Sequence, residues 1–264
     1  MSRKIIDTHV HVFPDKVAQR ATDTVGNYYG INMECNGTVN MLLEKAKIID
    51  VKYFIISSAA LKPENVASGN NRILEEAKLN PKFIPLCSIH PLGENMEAEL
   101  VRIKAEGAKG LKLHPDFQHF NIDMPEMLPL YKIAAELGLP ILFHVGDENT
   151  DASSPTRLYN VINKVPELTV IAAHMGGYRA WGEAEKVLYG TNVYMDTSDA
   201  LPLLSEEHVL NQIRCHGVDR IMFGSDYPLR STYEAFILFD RLALNEEEKN
   251  KIYYANAKHL FNLE

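Results

Sequence analysis

Short apolar runs alternate along the chain with longer amphipathic stretches, a pattern that predicts strands and helices taken in turn. The candidate strands are Lys4 to His9, Tyr53 to Ser57, Phe83 to Ile89, Gly110 to His114, Pro140 to Val145, Thr169 to His174, Asn192 to Thr197 and Arg220 to Gly224. Several are apolar almost throughout, as strands covered on both faces are. Helical periodicity fills the intervals, over Val39 to Asp50, Glu64 to Leu79, Glu94 to Glu106, Pro125 to Leu137, Pro155 to Lys164, Arg179 to Leu188, Glu206 to His216 and Thr232 to Leu242, with a last stretch from Glu246 to Leu260. Pro125 and Pro155 stand where a first helical turn accepts proline, and Gly107, Gly138 and Gly217 follow helix ends. Eight such pairs predict a single (β/α)8 TIM barrel. No composition break or flexible linker divides the series, so residues 1–264 read as one domain. The polar segment from Phe13 to Gly37 reads as a long loop insertion after the first strand, serving either as a lid or binding loop or as surface packing or a disordered stretch.

Composition narrows the function classes. The 264 residues carry a formal net charge of -8 and no Lys/Arg cluster, which argues against a nucleic-acid partner. No apolar stretch reaches the roughly 20 residues a bilayer span needs, and the chain opens directly on a strand, so a cytoplasmic protein without membrane contacts is expected. Cys35, Cys87 and Cys215 are odd in number and far apart, unlike a disulfide framework. Cys87, within an apolar run, reads as a small core residue.

The histidines change the picture. Lys4 to His11 ends in Asp-x-His-x-His, and strand alternation places Asp7, His9 and His11 on one face. Of ten histidines, His9, His11, His90, His114, His144 and His174 fall at or just past C-terminal strand ends, where parallel barrels gather their chemistry. Asp226 lies at the mouth of the last strand, which neighbours the first in a closed barrel. His144, from the fifth strand, can approach across the mouth. A carboxylate and three imidazoles then suit one divalent ion, zinc or a similar transition metal such as manganese or iron, with a position left for water.

These segments together resemble the amidohydrolase superfamily of metal-dependent barrels, and within it the amidohydrolase-related group that includes decarboxylases of aminocarboxymuconate semialdehyde and resorcylate. The resemblance runs through Asp7-Thr8-His9-Val10-His11, Gly110-Leu111-Lys112-Leu113-His114-Pro115, His144, Ala173-His174-Met175-Gly176-Gly177 and Phe223-Gly224-Ser225-Asp226-Tyr227-Pro228. It implies that His9, His11, His144 and Asp226 hold the metal and that His174 acts on water or substrate as an acid or base. Asp226 is then placed to take a proton as water attacks. Some members of the superfamily carry a carbamylated lysine at the end of the fourth strand that bridges two metals; Lys112 occupies that region, and a single metal, with Lys112 as a substrate-binding or structural cation, is the preferred reading. TatD-like nucleases share the early His-x-His but carry glutamate at the fourth-strand metal position, where this chain has Lys112 and His114.

The substrate is a small molecule. Arg179 and Arg230 follow the sixth and eighth strands and either hold a substrate carboxylate or serve as ordinary ion-pairing arginines. Tyr178 and Tyr227 offer a hydroxyl or simply wall packing, His90 and Asp199 share that open status, and Asp7 either orients a ligand imidazole or bonds backbone amides. The expected activity is hydrolysis of an amide, lactone or ester. Non-oxidative decarboxylation of a carboxylated aromatic or muconate-like acid is the alternative, and a barrel that binds a ligand without turnover is the third reading. Such barrels often associate, so a homo-oligomer is an open expectation.

Overall fold

The computed structural model describes residues 3–264. Its strands are β1 (Lys4–His11), β2 (Asp50–Ser57), β3 (Phe83–Cys87), β4 (Gly110–Leu113), β5 (Ile141–Phe143), β6 (Val170–Ala172), β7 (Tyr194–Asp196) and β8 (Ile221–Met222). They form one sheet in chain order, with helices between them, as the predicted (β/α)8 TIM barrel requires. Several strands are shorter than their apolar runs. The predicted strand from Pro140 to Val145 pairs only over Ile141–Phe143, so His144 stands in the loop beyond it. His90, His114 and His174 lie past their strands in the same way.

The chain divides into two compact units, one of Ser57–Asp196 and one of residues up to Ile56 together with Thr197–Glu264. In the first, β3 to β7 pair in parallel, with Leu86 opposite Gly110, Lys112 opposite Leu142, Phe143 opposite Ala172 and Ala172 opposite Met195. Every residue of β3, β4, β5 and β6 is buried, which explains why these runs lack polar alternation. Gly110 is needed where β4 begins, because a Cβ there would stand 2.6 Å from the Pro140 carbonyl oxygen and 2.9 Å from Leu86. Ser154 caps the helix Pro155–Lys164 by accepting from the Arg157 amide, with Pro155 in the first turn as expected. Pro125 departs from expectation. The helix it was to open begins at Leu128, and Pro129 takes the first-turn position.

In the second unit the first and last strands are neighbours. Thr8 N–H donates to the Phe223 carbonyl at 2.9 Å, His11 N–H donates to the Tyr227 carbonyl at 2.7 Å, and Val10 bridges Tyr227 in parallel. The last helical stretch, Glu246–Asn250 and Asn256–Leu260, is joined by a π turn over Lys251–Ala255. Within that turn the Ile252 carbonyl accepts from Phe223 N–H at 2.9 Å, so the irregular helix supplies a partner to the backbone just past β8.

The segment from Phe13 to Gly37 is not the irregular loop expected after β1. It carries a helix over Asp15–Tyr29 that buries Ala18, Thr22 and Gly26 and ends at Gly30 in the left-handed conformation. The buried stripe has helical spacing but is built from small and polar residues, so it carries little of the apolar signal by which helices are read. Gly26 is tight against the returning chain, since a Cβ would lie 2.9 Å from the Ile31 carbonyl oxygen.

Candidate metal centre

Strand alternation at the end of β1 brings His9 and His11 to the same side, and the turn after β8 brings Asp226 to meet them. His9 Nε2 lies 3.1 Å from His11 Nε2, 3.2 Å from Asp226 Oδ1 and within a cluster whose third edge, His11 Nε2 to Asp226 Oδ1, is 3.3 Å. Ligands held about 2.0–2.2 Å from a cation in a four- to six-coordinate shell lie roughly 2.9–3.5 Å apart, so this triangle has the edge lengths of one face of such a shell. The donor chemistry agrees, two imidazoles and a carboxylate. A cation satisfies all three lone pairs at once.

Surrounding groups fix these side chains. His9 Nδ1 pairs with Ser198 Oγ at 3.0 Å, which sets the ring so that Nε2 faces His11 and Asp226. Asp226 has φ 55°, a conformation uncommon for a residue with a side chain. Its turn is tied from beneath by Asp7, whose Oδ2 accepts from the Ser225 and Thr232 hydroxyls at 2.6 Å each and whose Oδ1 accepts from Ser225 N–H at 3.0 Å. Asp7 therefore braces the backbone and hydroxyls of this turn. Burial pushes its carboxyl up to about 6 against the pull of those hydrogen bonds. His9 is fully buried, while the His11 and Asp226 side chains keep 17% and 19% exposure, so the centre opens on their side.

The Ser57–Asp196 unit holds the other histidines. His144 Nδ1 and His174 Nε2 are paired at 3.0 Å, which leaves Nε2 as the His144 nitrogen that a ligand role would use. His174 has φ 59°; its N–H donates to Asp196 Oδ1 at 3.1 Å and its carbonyl accepts from Trp181 Nε1 at 2.9 Å. His114 lies between Phe117 and His144, with ring centroids 4.1 and 3.9 Å away and interplanar angles of 12° and 8°. His114, Asp116 and His144 are close enough to suggest a second metal group. Stacked parallel rings aim their nitrogen lone pairs side by side, not at a common point, and Asp116 already accepts from Ser153 at 2.6 Å and from Thr150. That trio is a packed aromatic and hydrogen-bonded wall. Burial raises the Asp116 carboxyl, opposed by the two hydroxyls.

Each remaining candidate has its own surroundings. Tyr178 is buried, edge-on to His174 at 5.7 Å, and its hydroxyl accepts from Arg179 Nε at 3.3 Å, with Glu148 3.5 Å from the same nitrogen. Lys112 is fully buried in β4, and its carbonyl accepts from Ser88 Oγ. The Tyr227 hydroxyl donates to the Thr38 carbonyl at 2.7 Å, a packing role. His90 is buried, which lowers its pKa, and its Nδ1 accepts from Leu92 N–H at 3.2 Å, so it braces its own loop. Arg230 makes no hydrogen bond or ion pair with any described residue. Ser198, Thr232, Asp196 and Trp181, which hold the site residues in place, carry no mark in the sequence, and Ser225 is marked only by the motif around Asp226.

Comparison with known proteins bears on this constellation. The amidohydrolase family profile matches residues 6–263. The chain belongs to the amidohydrolase family. Among solved structures, it is similar to 5-carboxyvanillate decarboxylase from Sphingomonas paucimobilis, with TM-score 0.75 and 15% identity over 100% of both chains. It is also similar to a dihydroxybenzoic acid decarboxylase from Polaromonas with bound manganese and 2-nitroresorcinol, with TM-score 0.73 and 16% identity over 99% of this chain and 97% of that one. A third is a probable 2-pyrone-4,6-dicarboxylic acid hydrolase from Acinetobacter baumannii with citric acid bound, with TM-score 0.72 and 18% identity over 98% and 99%. At these identities the structural likeness speaks for the fold, while the family carries both hydrolytic and decarboxylating relatives.

Proposed function

We propose that this amidohydrolase is a metal-dependent hydrolase that cleaves a C–N or C–O bond, as in an amide, lactone or ester, of a small molecule. The observation that carries this reading is the triangle of His9 Nε2, His11 Nε2 and Asp226 Oδ1, with edges of 3.1 to 3.3 Å. Zinc is the first choice of cation, with manganese, present in a fold relative, or iron as substitutes. When bound, the cation supplies a Lewis acid and brings the pKa of a coordinated water near about 7.

The chain's own residues do the rest. His9 and His11 hold the centre, and the family motif adds His144 to the ligand set. Asp226 takes the proton of the attacking water, its carboxylate kept in position by the turn that Asp7 braces. His174, held by Asp196 and Trp181 through its backbone, polarises the substrate oxygen, while the proton taken by Asp226 passes to the leaving group. Lys112, His114, Tyr178, Arg179 and Arg230 are the candidates for substrate contact.

The decarboxylase relatives support a second reading, in which the same groups exchange carbon dioxide for a proton on a carboxylated aromatic acid. One assay separates the two. Protein stripped with EDTA and reloaded with zinc or manganese is offered lactones, esters, amides and carboxylated aromatics, with acid release and bicarbonate measured in parallel. Metal-dependent acid release without bicarbonate is the expected result. Bicarbonate release selects the lyase, and stoichiometric metal without turnover of any compound favours a binding protein.

A further inference from the structure

We infer that Asp199 is a second carboxylate of the cation centre, standing beside Asp226 outside the triangle of ligand atoms, and that its negative charge raises the affinity of the centre for a divalent ion. The inference rests on reading His9, His11 and Asp226 as that centre. A carboxylate oxygen of Asp199 lies within 4.8 Å of one of Asp226. Asp199 is buried, and Asp226 keeps only part of its side chain in solvent.

The chain around Asp199 fixes that placement. Thr197 N–H donates to the Met222 carbonyl at 3.0 Å, and its hydroxyl oxygen accepts from Gly224 N–H at 3.2 Å, which stitches the segment to the end of β8. Ser198 reaches His9 Nδ1 at 3.0 Å, and its carbonyl accepts from Ala200 N–H at 2.7 Å. Asp199 therefore stands between a residue that braces a corner of the triangle and the turn that Ser198 makes with Ala200. Its φ is 52° and that of Asp226 is 55°. Both carboxylates are thus presented from left-handed backbone, which costs free energy for any residue with a side chain and is kept where the surroundings demand it.

Charge gives the pair a purpose. Two carboxylates at this separation repel each other, and burial removes the water that would screen them. A divalent ion held by Asp226 reverses that balance, because it is attracted by both. Neutral imidazoles and a single carboxylate leave a dication with one positive charge in excess, which is unfavourable away from water. Asp199 brings the centre to neutrality.

Manganese titration, read from the paramagnetic resonance signal of the free aqueous ion, tests this on EDTA-stripped wild type, Asp199→Asn and Asp219→Asn. Asparagine keeps the size of the side chain and accepts the left-handed backbone, so Asp199→Asn removes the charge alone. Asp219, exposed and paired with Lys251, gives the same change in net charge on the surface. Asp199→Asn is expected to raise the manganese Kd about 10–100-fold while still binding a single ion at saturation, and Asp219→Asn to stay within about twofold of wild type. Metal-free Asp199→Asn should unfold at no lower urea concentration than metal-free wild type, since neutralising one of two like charges relieves repulsion. An unchanged Kd in Asp199→Asn, where wild type binds manganese, overturns the inference and leaves the centre. A raised Kd joined to a lower metal-free midpoint makes Asp199 a structural residue and overturns it as well. Complete loss of binding makes Asp199 a ligand and does the same. Wild type that binds no manganese removes the centre itself. Should Asp199→Asn fail to fold, Asp199→Gly, which suits the left-handed backbone, takes its place under the same Kd criteria.

Discussion

Asp7 grips Ser225 at two points, accepting from its hydroxyl at 2.6 Å and from its amide at 3.0 Å, and thereby ties β1 to the turn that presents Asp226. Removing the carboxylate takes the acceptor from four buried donors, counting the Thr232 hydroxyl and the His9 amide, and frees the turn. Asp7→Ala is expected to destabilise the fold by about 2–4 kcal/mol in urea unfolding and to weaken manganese binding about 10–100-fold. A loss of stability with unchanged metal affinity shows that Asp7 does not position Asp226.

The three atoms of the candidate metal centre predict their own deletion pattern. His9→Ala, His11→Ala and Asp226→Ala each remove one corner of a triangle that a cation must share. Each variant should come through EDTA stripping and zinc reloading with less than about a tenth of the wild-type metal, measured by mass spectrometry after desalting. His90→Ala, which alters only a loop brace, should load fully. Full loading of all three ligand variants moves the metal elsewhere.

Sequence reading reached the parts of this molecule governed by period and order. Alternation put His9 and His11 on one face, and the neighbour relation of first and last strands in a barrel put Asp226 beside them. The braces were out of reach because they depend on approach, not pattern. Ser198 supports His9 from 189 residues away, and nothing in a lone serine marks that contact. For Asp7 the sequence left open an imidazole partner or backbone amides, and the structure provides two amides together with two hydroxyls. The helix Asp15–Tyr29 escaped for another reason. Its buried stripe of Ala18, Thr22 and Gly26 packs by being small, and small residues give almost no hydrophobic signal.

Glu99 carries a pH prediction away from the site. Burial pushes its carboxyl up, but hydrogen bonds from Arg102 at 2.7 Å and Asn70 at 2.7 Å outweigh that and leave it below its ordinary value. A depressed carboxylate stabilises the fold above its unfolded pKa, and the contribution is lost as pH falls through the folded value. Glu99→Gln should therefore cost about 1 kcal/mol at pH 7, and the gap to wild type should close on acidification below the ordinary carboxylate range. Urea midpoints at pH 7 and under acid conditions measure it. A gap that persists at low pH assigns the cost to packing.

His174 offers the test that separates chemistry from metal binding. Its ring is paired with His144, and its backbone is held by Asp196 on one side and the Trp181 indole on the other. If it moves a proton in the reaction, His174→Ala should lower kcat by about 10²–10⁴ while the protein still loads a full complement of zinc. Trp181→Phe keeps an aromatic ring but deletes the donor to the His174 carbonyl, so it should cost about 1 kcal/mol in stability and lower kcat far less than His174→Ala, with KM little changed. The two variants must differ in kind. Equal losses of kcat would mean that the alanine variant acts through a loosened backbone, and loss of metal in His174→Ala would make the residue a support for His144 instead of a proton carrier.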